Sequence, residues 1–309
     1  FIIHGYHSPH YFCDREEETK LLTNAFTNGN NVALISPRRL GKTGLICHCM
    51  QQKQIKENYY TFLVDIYATK NLQEFVYELG KTVVDVLKSR GRKAWEMFVN
   101  CLTSLRGSLS FDMNGKPEWT MSLGEIATPT VTLDEIFRYL EGADNRCIVA
   151  IDEFQAIAGY PEKNVEALLR THIQHCRNCN FIFAGSERHV MTEIFLSASR
   201  PFYQSTKMIT ILPIECDRYV DFAQRLFKEY DKAIDREAVV EIYNRYEGIT
   251  WYVQSVLNSL FTTTPVGGRC DVGDVSQAIE QVVVQQSFAY SSLLYQLPAK
   301  QKEVLIAIC

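Results

Sequence analysis

Three things are missing from this chain of 309 residues, and each absence narrows what the protein can be. No stretch approaches about 18 uninterrupted apolar residues, so no transmembrane helix is expected. There is no excess of positive charge, because the formal net charge is −4, so any nucleic-acid contact would have to come from a local patch. The sequence shows no internal repeat and no low-complexity segment. What remains is ordinary globular composition, with 46% hydrophobic and 22% charged residues.

Cysteine, in contrast, is abundant, with ten residues in the chain. They are scattered, and several lie inside apolar runs, as Cys47 and Cys147 do. A chain of this length can bury a sizeable core and does not need disulfides to be stable. We therefore expect reduced thiols and a cytoplasmic protein.

The first two thirds of the chain alternate between strand and helix patterns. Five short apolar runs predict buried strands at residues 32–36, 61–66, 147–151, 180–184 and 207–212. Helical patterns lie around them at residues 15–27, 42–56, 71–89, 132–142, 162–178 and 187–197. This alternation predicts an α/β fold with a parallel sheet covered on both faces.

Two segments depart from this rhythm. Residues 106–123 contain Asn114-Gly115 between two alternating runs, which indicates an inserted β-hairpin. After Pro213 the strands stop, and helical patterns fill residues 216–230, 235–246, 249–262 and 274–296. We therefore expect three domains, which are an α/β domain at 1–213, a helical domain at 214–290 and the beginning of a third domain at 291–309. The last begins with an amphipathic run from Pro298, whose apolar stripe leads us to expect that the chain continues past Cys309.

The stretch "ISPRRLGKTGL" at residues 35–45 carries the first chemical signal. It follows an apolar strand and precedes a helix, and it ends in the Gly-Lys-Thr of a phosphate-binding loop. Free backbone N–H groups at a helix N-terminus suit phosphate, Lys42 can neutralise the β- and γ-phosphates, and Thr43 can hold Mg²⁺. The pattern departs from the usual loop because Ser36-Pro37 stands where its first glycine is expected. The alternative interpretation is an ordinary turn followed by a basic helix start.

The second signal is "CIVAIDEFQAI" at residues 147–157, a buried strand that ends in Asp152-Glu153. The strand end places these carboxylates at the sheet edge where ligands of open α/β sheets bind. Asp152 is suited to the Mg²⁺ shell, and Glu153 is suited to take a proton from an attacking water. Two carboxylates that merely cap the next turn are the alternative.

Together these motifs resemble those of P-loop NTPases with an additional strand and a catalytic glutamate. Within that division, "SPRRLGKTGL", "VAIDEFQAI", "IFAGSERHVM", "SRPFY" and "YEGITWYVQSVLNSL" occur in the order seen in the archaeal-type ATPase family, which is similar to AAA+ proteins and belongs to the STAND group. The resemblance covers about residues 10–265. It implies a three-layer sandwich with strand order 5-1-4-3-2, an all-α lid domain, and a winged helix that would begin near the C-terminal run.

The resemblance also implies site residues. The nucleotide-binding loop is expected to comprise Ser36, Pro37, Arg38, Arg39, Leu40, Gly41, Lys42, Thr43 and Gly44, with Thr43 and Asp152 as metal ligands. Ser186 takes the sensor position that orients water near the γ-phosphate, or else it caps the next helix. Arg200 stands where AAA+ proteins place an arginine finger, which could act in cis or in trans, or it simply pairs on the surface.

Two further stretches have competing interpretations. "EGITWYVQ" at residues 247–254 resembles the lid motif of the family, with Thr250 where proline is usual, and helical core packing is the alternative. "THIQHCRNC" at residues 171–179 has metal-like spacing, but core cysteines with surface histidines are favoured over a zinc site.

The sequence thus predicts an ATP-binding, Mg²⁺-dependent ATPase with Lys42, Glu153, Ser186 and Arg200 as catalytic residues, which couples nucleotide state to lid movement in a regulatory role. Its ligands are ATP and ADP, and a DNA or protein partner is expected through the C-terminal domain. The alternative is a slow-turnover nucleotide switch that acts as a DNA- or protein-binding signalling module. A P-loop kinase is disfavoured, because Asp-Glu at the strand end fits hydrolysis better.

Overall fold

The structure, a computed structural model, describes residues 1–88, 92–105, 109–111, 117–119 and 126–308. The chain divides into two compact units. The α/β unit is Arg15–Leu212, and the helical unit combines Phe1–Asp14 with Pro213–Cys309. Residues 1–14 thus group with the helical unit, whereas the predicted boundaries placed them with the α/β domain.

The α/β unit is built on a five-stranded parallel sheet. Its strands are β1 (Val32–Ile35), β2 (Tyr59–Asp65), β5 (Arg146–Asp152), β6 (Cys179–Gly185) and β7 (Lys207–Thr210), with the short strands β3 and β4 numbered below. The spatial order is β2-β5-β6-β1-β7, which confirms the predicted order 5-1-4-3-2. β1, β6 and the last six residues of β5 are buried along their whole length, as expected for strands covered on both faces.

Eight helices belong to the described part of this unit. They are α1 (Glu16–Thr27), α2 (Lys42–Gln51), α3 (Lys53–Asn58), α4 (Leu72–Lys88), α5 (Arg92–Cys101), α6 (Pro129–Gly142), α7 (Val165–His175) and α8 (Arg188–Leu196). The apolar positions of α4 recur every three or four residues and are buried, which is the pattern of a helix packed on a sheet. Phe154, Phe183, Phe195 and Phe202 form one aromatic cluster of the core, with ring centroids 4.6 to 5.8 Å apart.

The structure departs from the predicted elements at several points. The predicted helix 42–56 is two helices, because Gln52 adopts an extended backbone (ψ 136°) that ends α2 and begins α3. Helix α5 was not predicted. The strands β3 (Leu109–Phe111) and β4 (Pro117–Trp119) pair antiparallel within the expected hairpin segment, while its turn at Asn114-Gly115 lies outside the described residues.

The helical unit contains α9 (Cys216–Glu229), α10 (Arg236–Arg245), α11 (Thr250–Thr263), α12 (Val272–Gln285), α13 (Ser287–Gln296) and α14 (Ala299–Ile308). Its core is apolar and includes Tyr219, Phe227 and Leu257, all fully buried. It is not purely helical, because β8 (Ala233–Ile234) and β9 (Arg269–Cys270) pair in parallel. The predicted helix 274–296 is divided at Gln286. No helix in the described part of the chain is long and apolar enough to cross a membrane.

Candidate active site

The loop between β1 and α2 is shaped by two left-handed residues. Gly41 has φ 88° and Arg39 has φ 70°, and α2 begins immediately afterwards at Lys42. Gly41 therefore supplies a backbone conformation that other residues adopt at a cost. Ser36, which replaces the usual first glycine, is buried and continues the sheet, with its N–H donating to the Gly185 carbonyl at 3.2 Å. Because Ser36 needs no positive φ, the substitution is compatible with a phosphate loop.

The two sequence signals meet at the N-terminus of α2. The Thr43 hydroxyl donates to Asp152 Oδ2 at 2.5 Å. Lys42 Nζ lies 3.3 Å from Asp152 Oδ1 and 3.2 Å from Glu153 Oε1. Lys42 and Asp152 side chains are only 7% and 8% exposed, so this charge cluster is largely removed from water. A lysine, a hydroxyl and two carboxylates from segments more than a hundred residues apart thus form one buried site.

Glu153 is held from two sides in a strained backbone position, with φ 56°. Ser186 donates to its Oε2 at 2.7 Å, and Gln155 Nε2 donates to the same oxygen. Burial alone would raise the pKa of Glu153. The hydrogen bonds from Ser186 and Gln155 and the charge of Lys42 outweigh that effect, and together they lower the pKa below its ordinary value. Glu153 is therefore a carboxylate at neutral pH and is able to accept a proton.

Arg15 binds the loop through its guanidinium group. Its side chain is buried, and its guanidinium donates to the Leu40 carbonyl at 3.3 Å, to the Leu212 carbonyl at 2.6 Å and to Glu18 at 2.7 Å. These bonds tie the loop residue Leu40 to the end of β7 and to the first turn of α1. Arg15 is thus a buried cation that is held in place next to the loop.

A cavity of about 540 Å³ borders Glu153. Its walls include Arg38, Lys70, Tyr160 and Gln155. The Arg38 guanidinium lies 5.4 Å from the centre of the Tyr67 ring, and its Nε donates to Ser186 Oγ at 3.4 Å. The Glu153 side chain, which is 19% exposed, is thus less buried than its neighbours Lys42 and Asp152.

Of the remaining predicted catalytic residues, Ser186 lies beside Glu153 and Arg200 does not. Ser186 joins the Glu153 cluster, whereas the residue that precedes α8 as its N-cap is Glu187. Arg200 is instead held by two carboxylates, since its guanidinium contacts Glu166 of α7 and lies 3.2 Å from Glu193 of α8. No hydrogen bond or ion pair found among the described residues links Arg200 to Lys42 or Glu153.

Asp65, at the end of β2, and the stretch at residues 171–179 lie outside the cluster. Asp65 accepts the Tyr67 N–H at 2.9 Å, which is a local turn contact. His172 stacks on Phe137 with ring centroids 4.9 Å apart, and Cys176 and Cys179 are buried. Across the residues that the structure describes, no group of three or more His, Cys, Asp or Glu side chains is arranged to hold a metal ion.

Gln155 and Arg15 are members of the site that the sequence analysis did not single out. Gln155 lies two residues after Glu153, near the start of a 3₁₀ turn (Phe154–Gly159). This turn places the Gln155 side chain against the Glu153 carboxylate. Arg15 lies within a stretch whose pattern was noted, but its partners are 25 and 197 residues away. Gln155 lies within the quoted stretch 147–157, and Arg15 begins the helical pattern 15–27, but neither fact indicates these contacts.

Comparison with solved structures supports the fold. The chain is similar to the Walker-type ATPase PABY2304 of Pyrococcus abyssi, with 19% identity over 94% of this chain and 77% of that chain and a TM-score of 0.67. It is also similar to the ORC2 protein of Aeropyrum pernix in its ADPNP–ADP complexes, with 13% identity over 91% of this chain and 70% of that chain and a TM-score of 0.60. The ORC1 protein of Aeropyrum pernix, solved in complex with DNA, gives 12% identity, 97% and 72% coverage and a TM-score of 0.58.

Fold and sequence together define a P-loop NTPase of the AAA+-like kind. A model of the family described as an ATPase domain predominantly from Archaea matches residues 12–256. The chain belongs to this ATPase family, and it is accordingly an ATP-binding ATPase. No curated protein matches the chain at a significant level.

Proposed function

We propose that this ATPase is Mg²⁺-dependent and that its nucleotide state is coupled to movement of the helical lid, residues 214–290, in a regulatory role. The observation that supports Mg²⁺-dependent hydrolysis is the buried cluster in which Lys42 and Thr43 contact Asp152 at the end of β5 and Glu153 in the turn after it. The coupling to lid movement rests on the resemblance to the family. Residues 36–44 form the nucleotide-binding loop in this proposal.

Lys42 is the phosphate-binding cation. In the structure its ammonium group is shared between two carboxylates at 3.2 and 3.3 Å. The β- and γ-phosphates of ATP carry more negative charge and lie at the helix N-terminus, so they compete for the same ammonium group. ATP binding therefore draws Lys42 away from Glu153 Oε1.

Thr43 and Asp152 are the proposed Mg²⁺ ligands. Their oxygens already lie 2.5 Å apart, and hydroxyl and carboxylate oxygens are the hard donors that Mg²⁺ prefers. The residues present therefore fit the metal. Mg²⁺, when bound, neutralises charge on the phosphate oxygens. Thr43 and Asp152 would orient the ion, and the hydrogen bond between them keeps their two oxygens next to each other.

Glu153 is the proposed general base. Its Oε2 is occupied by Ser186 and Gln155, whereas its Oε1 contacts only Lys42 among the described residues. Once Lys42 turns to the phosphates, Oε1 can accept a proton from a water that attacks the γ-phosphate. Ser186 holds Glu153 and contributes the polar sensor group. Arg200 is retained as a catalytic proposal only in a state where Glu166 and Glu193 release it.

A second candidate function is a slow nucleotide switch that acts by binding DNA or protein. The ORC1 neighbour was solved in complex with DNA, and the fold it shares with this chain supports the idea. In this second function, residues 291–309 would belong to the winged helix that binds DNA. The cytoplasm is the proposed location, because six of the cysteines are buried apolar residues and the nine described ones are free thiols.

Sustained phosphate release by the purified protein distinguishes the two functions. With ATP in large excess and Mg²⁺ present, we expect many turnovers per chain, and we expect EDTA to stop them. Lys42→Ala protein prepared identically controls for a contaminating ATPase. Release of no more than one phosphate per chain would favour the switch, and activity that survives EDTA would contradict the proposed role of Thr43 and Asp152.

A further inference from the structure

Gln155, Glu153 and Ser186 contact one another pairwise, and the proposed mechanism uses the last two. Its Nε2 donates to Glu153 Oε2 and lies 3.3 Å from Ser186 Oγ, while Ser186 Oγ donates to Glu153 Oε2 at 2.7 Å. The amide orientation follows from this chemistry. If the amide were reversed, its carbonyl oxygen would face a carboxylate oxygen, and two acceptors would meet without a proton between them.

The Gln155 side chain is placed here at a cost to stability. It is only 7% exposed, and its Oε1 finds no hydrogen-bond partner in the part of the chain that the structure describes. A buried acceptor without a partner lowers the free energy of unfolding by about 1–3 kcal/mol. An apolar side chain of the same size would avoid this cost but would also remove the donor to Glu153 Oε2, so what the glutamine adds at this position is its bond to the carboxylate.

Space for the amide comes from the end of β6. A Cβ atom added to Gly185 would lie 2.6 Å from Gln155 Oε1, closer than real Cβ contacts allow. Gly185 has no positive φ, so its missing side chain provides room and not backbone freedom, and that room is shared between Gln155 and Met191, whose side chain would also lie too close to such a Cβ atom. The fold thus leaves space for Gln155 beside Glu153.

The two oxygens of Glu153 have different surroundings. Oε2 accepts from Gln155 and Ser186, whereas Oε1 contacts the ammonium group of Lys42. When Lys42 binds phosphate instead of Oε1, the hydrogen bonds from Gln155 and Ser186 to Oε2 remain. They keep the carboxylate in place and leave Oε1 free. Without Gln155, a single bond from Ser186 would leave the carboxylate able to rotate, and a misplacement of about 1 Å can cost roughly 100-fold in rate.

We infer that Gln155 is a positioning residue, which holds Oε2 of Glu153 so that Oε1 faces the attacking water. The inference rests on the proposed function of Glu153 as general base. Gln155 acts through Glu153 and does not itself contact phosphate.

The test is Gln155→Met, which keeps the length of the side chain and removes the donor. We expect kcat to fall by roughly 10- to 100-fold, while the affinity for a fluorescent ATP analogue stays within about two-fold of the parent. Gln54→Met, on the exposed surface of α3, is the matched control and should leave both quantities unchanged. A kcat within about two-fold of the parent, a higher kcat, or a parallel loss of nucleotide affinity would each overturn the inference.

A double-mutant cycle separates positioning from a general loss of structure. If Gln155 acts only through Glu153, then Gln155→Met should not slow the residual turnover of Glu153→Gln by more than about two-fold. A further slowing by the same factor as in the parent would overturn the inference and leave the proposed function intact. Parental turnover by Glu153→Gln alone would overturn the proposed function, and the inference with it.

Discussion

Replacing Lys42 with alanine should destabilise the nucleotide-free protein as well as abolish its response to ATP. Lys42 is the only cation that contacts both Asp152 and Glu153 among the described residues, at 3.3 and 3.2 Å. Its removal leaves two neighbouring carboxylates with 8% and 19% exposed side chains and no compensating charge. The folded state then carries a like-charge pair that the unfolded chain exposes to water.

The size of the effect follows from this burial. Removing one partner of a buried ion pair costs about 3–5 kcal/mol. Asp152 keeps its bond from Thr43, and Glu153 keeps Ser186 and Gln155 and borders a cavity, so we expect the lower end, about 3 kcal/mol. At about 2–4 °C per kcal/mol for a unit of this size, the melting temperature should fall by roughly 6–12 °C.

Thermal and urea unfolding, each with and without ATP and Mg²⁺, measure both effects. ATP at about 100 times its Kd should stabilise the parent by about 2.7 kcal/mol and Lys42→Ala by nothing measurable. Lys53→Ala, at an exposed position on α3, is the control and should behave as the parent does. Parental stability of Lys42→Ala without nucleotide would refute the buried ion pairs, and a retained ATP shift would refute its role as phosphate ligand.

Three further predictions concern other parts of the α/β unit. Thr43→Val removes the hydroxyl that meets Asp152, so phosphate release should lose its activation by Mg²⁺ in a titration, and an unchanged half-saturation would contradict the assignment. Arg15→Ala removes the guanidinium bonds to the Leu40 and Leu212 carbonyls and to Glu18 and should lower the free energy of unfolding by about 2–3 kcal/mol in urea, whereas a change under about 0.5 kcal/mol would contradict a stabilising role of Arg15. Burial raises the pKa of Cys49 from 9.0 to about 12, so the unfolded state loses this proton first and stability falls above pH 9. Between pH 9 and 10.5 this slope amounts to about 2 kcal/mol, and Cys49→Ala should remove it in urea unfolding at the two pH values, while an equal loss in both proteins would count against it.

The sheet could be predicted from the sequence because its strands are short, apolar and separated by helical patterns. The strand order came from the resemblance to a family, since burial on both faces does not by itself tell which strands are neighbours. Helix boundaries were less accurate. The break at Gln52 has no proline or glycine to signal it, and only the extended backbone in the structure reveals it.

The candidate site was predictable where its residues lie in motifs that are continuous in the chain. Lys42, Thr43, Asp152 and Glu153 each follow a predicted strand, and parallel strands bring their carboxyl ends to one edge. Gln155 was not predictable, because its role depends on a 3₁₀ turn and on the space left by Gly185 on a neighbouring strand. The two carboxylates beside Arg200 likewise come from other helices and gave no signal in its own stretch.

Glu153→Gln tests whether Glu153 takes the proton of the attacking water. The amide keeps the shape of the side chain but cannot accept that proton. ATP binding and steady-state phosphate release should be measured on the same preparation. We expect ATP affinity close to that of the parent and turnover reduced by roughly 100-fold or more. Turnover within a few-fold of the parent would contradict this role of Glu153.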